Sequence, residues 1–336
     1  MHQISFVFQG KVFFDENCTR VIENIAIVRK KYPNSEIIIS TWELEADERS
    51  LFLKEIKPLN AIVIFNSDPG PLVYREGSYQ WVTNINRMIV SSFKGIERST
   101  RDYIVKLRTD SFLYNDNLRK IFSRKKMIDN LFTRSREYSF FEERMINCNL
   151  FARHSRSYRS FLFHPGDIML LGKKSDMYEL YCTPLVDRSI FEVTFNYSLF
   201  SLMKYVPEQF IWVNYLKKKM NGLQFSGNKE NSKKLMLLSE RLYINNFIPL
   251  SCYQLGFIWP KHTTKYKNKG EDTIYQFKDW VILNNIHNGK NKNRDVTYPI
   301  SFNVKVSLMK LWYFILYFPL RWPAIRRVIM DMKSRE

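Results

Sequence analysis

The sequence predicts an α/β protein with a mostly parallel, doubly wound sheet. The first observation is that short β-branched, apolar runs alternate with longer helical patterns along the first third of the chain. The second is that one of these runs ends in charged residues, as strands do when their carboxyl ends face a ligand crevice. Strands that alternate with helices favour parallel pairing, because each helix returns the chain across the sheet.

The runs follow one another in a regular order. Strands are predicted at Ile4–Phe8, Glu36–Ser40 and Ala61–Phe65, with a fourth opening at Tyr103, and helices at about 18–31 and 81–93. The crossing after the first strand lacks G-x-G-x-x-G, and G-x-x-x-x-G-K-[ST] occurs nowhere in the chain. A dinucleotide-binding Rossmann domain and a P-loop NTPase are therefore both disfavoured.

The fourth run, YIVKLRTDSFL, carries the chemistry that organises the prediction. Lys106, Arg108 and Asp110 alternate, so an extended chain puts all three on one side of the strand. Burying such charges is costly unless a partner compensates them. Two readings stay open: a cationic pair for phosphates with one carboxylate for a divalent metal, or a buried Lys–Asp or Arg–Asp pair that only braces the sheet.

Composition limits the class of protein and its partners. The 336 residues carry a net charge of +19 and a sequence pI of about 9.6, which favours an anionic partner. The four cysteines are far apart and form no C-x-x-C pair, which argues against a zinc site and a disulfide framework. The chain shows neither a secretory signal nor 18 uninterrupted apolar residues, so we expect a cytoplasmic protein without a spanning helix.

The second half of the chain is less regular. Residues 118–160 are rich in Arg and Lys and are interpreted as a basic insertion or mobile loop, or else as a solvated surface. A strand is expected at Ile168–Leu171 and another at Gly256–Pro260. Pro207 suits the first turn of a helix, where Glu208 would lie near the positive end of the dipole or act as a general base.

These patterns suggest one domain over residues 1–262 and a basic, amphipathic segment over 263–336. The domain divides into residues 1–110, which end with the charged strand, and residues 111–262. Within the C-terminal segment, Val304–Leu320 is rich in Leu, Trp, Tyr and Phe and is flanked by Lys and Arg. This suits a segment lying on an anionic membrane surface, although a helix packed on its own domain is the alternative.

Several motifs in this order resemble the bacterial WavE lipopolysaccharide synthesis family. They are ISFVFQG (4–10), YPNSEIIISTWE (32–43), NSDPG (66–70), NINRMIVSS (84–92), YIVKLRTD (103–110), HPGDIMLLG (164–172) and PEQFIW (207–212). The resemblance covers about the first two-thirds of the chain. It implies a GT-A-like glycosyltransferase fold, a nucleotide-sugar donor, and a lipopolysaccharide core or lipid-linked glycan as acceptor. Residues 1–262 would then be a catalytic domain, with a donor-nucleotide half (1–110) and an acceptor half (111–262). It places the protein on the inner face of the bacterial cytoplasmic membrane.

The resemblance also implies roles for particular residues. Asp110 would bind a divalent metal, Mn²⁺ or Mg²⁺, although Arg108 replaces the first acid of the usual Asp-x-Asp motif, and His262 would be a further ligand. Glu208 would be the general base, with Asp167 contacting donor sugar or acceptor. The remaining residues expected on the donor side are Gln9, Gly10, Glu43, Asp68, Asn84, Arg87, Lys106 and Arg108.

Two other functions compete with this reading. A nucleic-acid-binding protein would explain the charge, but no recognition helix, zinc finger or aromatic RNP motif is present. A metal-dependent phosphohydrolase would need a denser cluster of Asp and His than this strand end supplies. The donor sugar and base, the linkage, the stereochemistry and the oligomeric state do not follow from the sequence.

Overall fold

The computed structural model describes residues 3–14, 17–263, 271–289, 298 and 300–333. Within them the strands are β1 (Ile4–Gln9), β2 (Glu36–Trp42), β3 (Ile62–Asn66), β4 (Leu72–Glu76), β5 (Tyr79–Thr83), β6 (Tyr103–Arg108), β7 (Phe112–Leu113), β8 (Met145–Cys148), β9 (Leu170–Lys173), β10 (Phe191–Asn196), β11 (Leu199–Met203), β12 (Phe247–Leu250) and β13 (Phe257–Ile258). The helices are α1 (Thr19–Lys31), α2 (Ala46–Ile56), α3 (Ile85–Arg98), α4 (Asn117–Leu131), α5 (Lys174–Tyr181), α6 (Pro207–Lys219), α7 (Lys233–Asn246), α8 (Cys252–Leu255), α9 (Pro260–Thr263), α10 (Phe277–Asn288), α11 (Ile300–Tyr317) and α12 (Pro323–Lys333).

Seven of the described strands form the central sheet, in the order β12-β8-β9-β6-β1-β2-β3. Every neighbouring pair is parallel except those of β9, which runs antiparallel to β6 and to β8. The predicted fold class is therefore confirmed as an α/β protein with a mainly parallel sheet.

Helices cover both faces of this sheet. Successive residues of a strand point to opposite faces. The ring of Phe6 lies 4.9 Å from that of Tyr32, just after α1. Val7 points the other way, toward α3, where a Cβ on Gly95 would lie only 2.4 Å from a Val7 methyl carbon. The close approach of α3 requires glycine at position 95.

The predictions for residues 118–160 and 81–93 need correction. The basic stretch is not a loop insertion over its length, because α4 takes up much of its first part and β8 lies inside the central sheet. Arg144, next to β8, is fully buried, and its guanidinium donates to Asp129 at 2.8 Å and to backbone carbonyls. The predicted helix at 81–93 begins only at Ile85, because Tyr79–Thr83 pairs with β4 in a hairpin.

Two smaller boundaries also differ from the sequence prediction. The strand expected at Ile168–Leu171 runs from Leu170 to Lys173, and α5 follows it directly. The late strand is only Phe257–Ile258, paired with β7 outside the central sheet.

The C-terminal helices pack on the rest of the chain through one side. Rings of α11 lie 5.1 Å from Tyr197 and 5.9 Å from Phe200, on the β10–β11 hairpin. In α12, Arg326 pairs with Glu76 of β4 at 2.9 Å, and both side chains are largely buried. None of the helices within the described residues is long and apolar enough to cross a membrane.

Candidate functional site

The first part of the candidate site is a buried ion pair below the end of β6. Lys106 Nζ donates to Asp167 Oδ2 and to the Asp167 backbone carbonyl, both at 2.7 Å, and only 1% of the Lys106 side chain is exposed. Tyr181, from α5, donates its hydroxyl to the same carboxylate oxygen at 3.0 Å. Burial lowers the pKa of Lys106, while the Asp167 carboxylate opposes that shift. The Lys–Asp brace that the sequence left open is therefore present.

Glu208 lies next to this pair, at the start of α6. The helix begins at Pro207, as predicted, and Glu208 is in its first turn. Loss of hydration on burial, followed by the charge of Asp167, raises the pKa of Glu208 to about 7. Its side chain keeps 18% of its surface exposed. A carboxylate with a pKa near neutrality can accept a proton at physiological pH, which is the property of a general base.

His164 completes the surroundings of Glu208. Its Nε2 is 3.7 Å from Glu208 Oε2, and burial lowers the pKa of His164 to about 3, so the imidazole is neutral. The backbone N–H of Gly166 donates to Nδ1 at 3.3 Å, which places the ring proton on Nε2, facing the carboxylate. The charge of Arg153 opposes the rise in the pKa of Glu208, so this cation lies close enough to act on it.

The second part of the site is a cation-rich group at the end of β6. Arg108 donates to both oxygens of Asp110, at 2.7 and 2.8 Å. Trp259 Nε1 donates to Asp110 Oδ1 at 3.2 Å, and Lys261 Nζ lies 2.9 Å from Oδ2. Burial alone would raise the pKa of Asp110, but Arg108 and then Lys261 hold it at about 2. The Arg108 guanidinium also lies over the Trp259 ring, 5.3 Å from its centroid.

Two other predicted donor residues lie at the end of β1. Gln9 is paired in register with Arg108 and accepts a hydrogen bond from Ser91 of α3 at 2.7 Å. A Cβ on Gly10 would lie 3.3 Å from the Thr109 hydroxyl, and the φ of +118° there favours glycine. The structure therefore places Gln9 and Gly10 next to the end of β6.

A separate group lies at the amino end of α3. Arg87 donates to both oxygens of Asp68, at 2.7 and 2.5 Å, and to the Asn84 side chain at 3.0 Å. The three predicted residues are therefore together, and Asp68 already neutralises Arg87. Glu43 is further out, paired with exposed Arg49 at 3.1 Å beside a groove along the edge strand β3.

The divalent metal expected at Asp110 does not suit the residues described here. Divalent cations prefer several oxygen ligands. Among the described residues no group of three or more His, Cys, Asp or Glu side chains is placed to hold an ion. Asp110 is instead surrounded by two cations and an indole N–H. The side chain of His262 lies outside the described residues, so its role as a ligand stays a prediction.

Sequence reasoning missed the partners of the predicted residues. His164, Tyr181, Trp259 and Lys261 each contact a predicted carboxylate but were not assigned to the site. His164 lies in the HPGDIMLLG motif, and its closeness to Asp167 in the sequence was the one available signal. Trp259 and Lys261 are about 150 residues from Asp110, and no local pattern links them.

The sequence was then compared with known families and structures. The family model described as WavE lipopolysaccharide synthesis matches residues 4–311. The chain belongs to the WavE family. The match extends beyond the two-thirds of the chain expected from the motifs and includes most of α11. No curated protein gives a match.

Solved structures show only distant similarity to this WavE protein. A 4-diphosphocytidyl-2C-methyl-D-erythritol synthase from Anaerococcus prevotii is 8% identical, covering 70% of this chain and 95% of its own, with a TM-score of 0.33. Mouse xyloside xylosyltransferase 1 is 11% identical, and the match covers 74% of this chain and 85% of the mouse chain, with a TM-score of 0.33. S. aureus TarS 1-349 is 10% identical, and the match covers 99% of this chain and 88% of the TarS chain, with a TM-score of 0.30. TM-scores this low support no functional conclusion.

Proposed function

We propose that this WavE protein is a glycosyltransferase that moves a sugar from a nucleotide-sugar donor onto a lipopolysaccharide core or another bacterial surface glycan. The observation that carries the proposal is that Glu208, whose pKa burial raises to about 7, lies close enough to the cation-rich group at the end of β6 for its charge to raise the pKa of Arg108. Arg108 and Lys261 would bind the donor diphosphate, and Glu208 would receive the acceptor proton. Family membership supports a role in lipopolysaccharide synthesis.

The reaction divides among these residues as follows. The acceptor oxygen bonds to the anomeric carbon, the bond from that carbon to the donor phosphate oxygen breaks, and the acceptor proton passes to Glu208. The nucleoside diphosphate leaves with negative charge that the cations stabilise. Asp167, held by Lys106 and Tyr181, contacts the sugar being transferred or the acceptor. Gln9, with Asn84 and Arg87, belongs to the donor side.

Donor binding is the first test. The full chain is heated with UDP, ADP, GDP or CDP, each with and without Mn²⁺, and the unfolding temperature is recorded. A ligand at about 100 times its Kd stabilises the native state by about 2.7 kcal/mol, which is easily measured. Failure of every nucleotide to stabilise the chain contradicts the proposal, and salt-sensitive binding to any DNA or RNA would favour a nucleic-acid-binding protein.

Turnover is the second test. Release of nucleoside diphosphate is followed from the sugar form of the best-binding nucleotide, with and without lipopolysaccharide core. Glu208→Gln should lower release by about 100-fold or more, as expected for loss of a general base, while donor affinity stays unchanged. The control is Glu23→Gln, an exposed carboxylate on α1. A Glu208→Gln variant with ordinary turnover would remove this residue from the mechanism.

The C-terminal helices are proposed to bind an anionic membrane surface. Seven apolar residues of α11 are each about half exposed or more, and from Leu308 to the end of the helix every exposed residue is apolar: Ile300, Val304, Leu308, Leu311, Trp312, Ile315 and Leu316. Exposed bases lie within and after this helix, among them Arg321, Arg327 and Lys305, which also pairs with Asp272 at 3.1 Å. Apolar and aromatic side chains with flanking cations suit the headgroup region of anionic lipid, where each base adds about 1 kcal/mol. The protein would then act at the inner face of the cytoplasmic membrane.

Vesicle sedimentation tests this surface. The full chain should sediment with vesicles containing phosphatidylglycerol, and less with vesicles of phosphatidylcholine alone. Leu308→Ser with Trp312→Ser should abolish sedimentation, while Leu131→Ser, at an exposed leucine on α4, should not. Unchanged sedimentation of the double variant, or a dimer that the variant dissociates, would assign the face to another partner.

A further inference from the structure

We propose that Arg108 and Lys261 bind the donor diphosphate directly, and that Asp110 is their internal counter-ion rather than the ligand of a metal. This inference rests on the proposed function, because it concerns the donor site of the same reaction. It also replaces the metal-based role that the sequence suggests for Asp110.

The hydrogen bonds of Asp110 carry the argument. A carboxylate has about four lone-pair sites, two on each oxygen. Oδ1 accepts from Arg108 Nε at 2.7 Å and from Trp259 Nε1 at 3.2 Å. Oδ2 accepts from Arg108 Nη2 at 2.8 Å and lies 2.9 Å from Lys261 Nζ. All four sites are taken, so a metal ion would have to displace these donors.

The local charge points to the same conclusion. Two cations surround one carboxylate, so the group has an excess positive charge. A divalent ion there would be repelled by both cations, whereas a diphosphate would be attracted to them. The side chain of Asp110 is only 6% exposed, but those of Arg108 and Lys261 are 33% and 47% exposed. The cations are therefore the part of the group that faces a ligand.

The two cations also have donors left for phosphate oxygens. The bonds to Asp110 use two of the five guanidinium N–H groups of Arg108 and one of the three ammonium hydrogens of Lys261. The Trp259 ring packs against the guanidinium and fixes its plane. A planar, preorganised guanidinium binds two phosphate oxygens at once, and a lysine adds a point charge. Together they can stabilise the negative charge of a leaving diphosphate without a metal.

The experiment measures nucleotide affinity under two conditions. The full chain, freed of metal with EDTA, is titrated with UDP, ADP, GDP and CDP by calorimetry, in EDTA and again in excess Mn²⁺. The best nucleotide should bind with nearly the same Kd in both. Arg108→Gln and Lys261→Met should each weaken binding by roughly 10-fold or more, as expected for a charge-assisted hydrogen bond. Lys94→Met, at another half-exposed lysine, is the matched control.

Asp110→Asn separates the two models. It keeps both cations and removes their counter-ion, so nucleotide binding in EDTA should persist or tighten. Binding that requires Mn²⁺ and is lost in Asp110→Asn would overturn this inference and leave the proposed function standing. If no nucleotide binds under either condition, the proposed function itself fails. Lys261→Met is at an exposed position, so its folding is not in question, and unchanged affinity there would also overturn the inference.

Discussion

Replacing Glu208 by Gln should make the protein more stable at alkaline pH while it removes sugar transfer. Burial and the charge of Asp167 raise the pKa of Glu208 from its ordinary value of 4.5 to about 7. Between these values the native state holds a proton that the unfolded chain has already released. The free energy of unfolding therefore falls as the pH rises through this window. Glutamine does not ionise, so the free energy of unfolding of the variant does not fall in this way.

The size of the effect follows from the two pKa values. The difference between 4.5 and about 7 corresponds to about 3 kcal/mol, since one pKa unit is about 1.4 kcal/mol. Only 18% of the side chain is exposed, so solvent screening reduces this little. The wild type should be destabilised by about 1 kcal/mol near pH 5 and by about 3 kcal/mol near pH 8, relative to a neutral group at this position.

Urea unfolding of both proteins near these two pH values is the assay. The stability gained by Glu208→Gln should be about 2 kcal/mol larger at the higher pH. Glu23→Gln, on the exposed side of α1, should follow the wild type at both. The reasoning would be refuted if the variant and the wild type differed in free energy of unfolding by the same amount at both pH values. A variant less stable than the wild type near pH 8 would refute it too. The same samples should show loss of transfer with donor binding retained.

Three other substitutions test the packing of the chain. Lys106→Met leaves the Asp167 carboxylate buried without its cation and should lower the free energy of unfolding, measured in urea, by about 3–5 kcal/mol. Adding Asp167→Asn should restore part of this stability. A loss below about 1 kcal/mol in Lys106→Met would contradict the buried pair. Gly95→Ala should destabilise by about 1–3 kcal/mol despite the better helix propensity of alanine, because the new Cβ overlaps a β1 side chain, and a more stable variant would contradict the close packing of α3. Glu76→Gln should weaken the pair with Arg326 and speed amide hydrogen exchange in α11 and α12 but not in the central sheet. The same exchange rates in α11 and α12 as in the wild type would show that this pair does not hold these helices in place.

The central sheet was largely predictable because its strands are local sequence patterns. Four parallel strands, β1, β2, β3 and β6, are β-branched or apolar runs separated by helical patterns, and all four were found close to their observed bounds. β8 was missed because it is short and lies in an Arg-rich stretch. Its neighbour Arg144 is buried, and this burial is compensated by contacts such as the one with Asp129, which a local sequence pattern does not predict. The second strand of the β4–β5 hairpin was predicted as the start of the following helix, because Trp81 occurs readily in either structure.

Many residues of the candidate site were predictable, but the contacts between those far apart in the sequence were not. Alternation in β6 placed Lys106, Arg108 and Asp110 together without any knowledge of the fold. Their partners come from elsewhere: Asp167 is 61 residues beyond Lys106, and Trp259 is 149 residues beyond Asp110. Which cation would meet which carboxylate depended on the tertiary fold. For that reason the choice between a brace and a binding site stayed open in the sequence.

Two positions of the same strand differ in exposure, and we infer different roles for them. Lys106 is 1% exposed and bound to Asp167, whereas Arg108, one alternation nearer the strand end, is 33% exposed. A buried pair contributes little net stability but is costly to break, so Lys106 holds Asp167 in place and does not face a ligand. The charge of Lys106 also opposes the rise in the pKa of Glu208, which Asp167 favours. Loss of Lys106 should therefore raise the pKa of Glu208 further, and the pH optimum of sugar transfer should move upward with it. An unchanged optimum in a folded Lys106→Met variant would show that the inner pair braces the sheet without tuning the base.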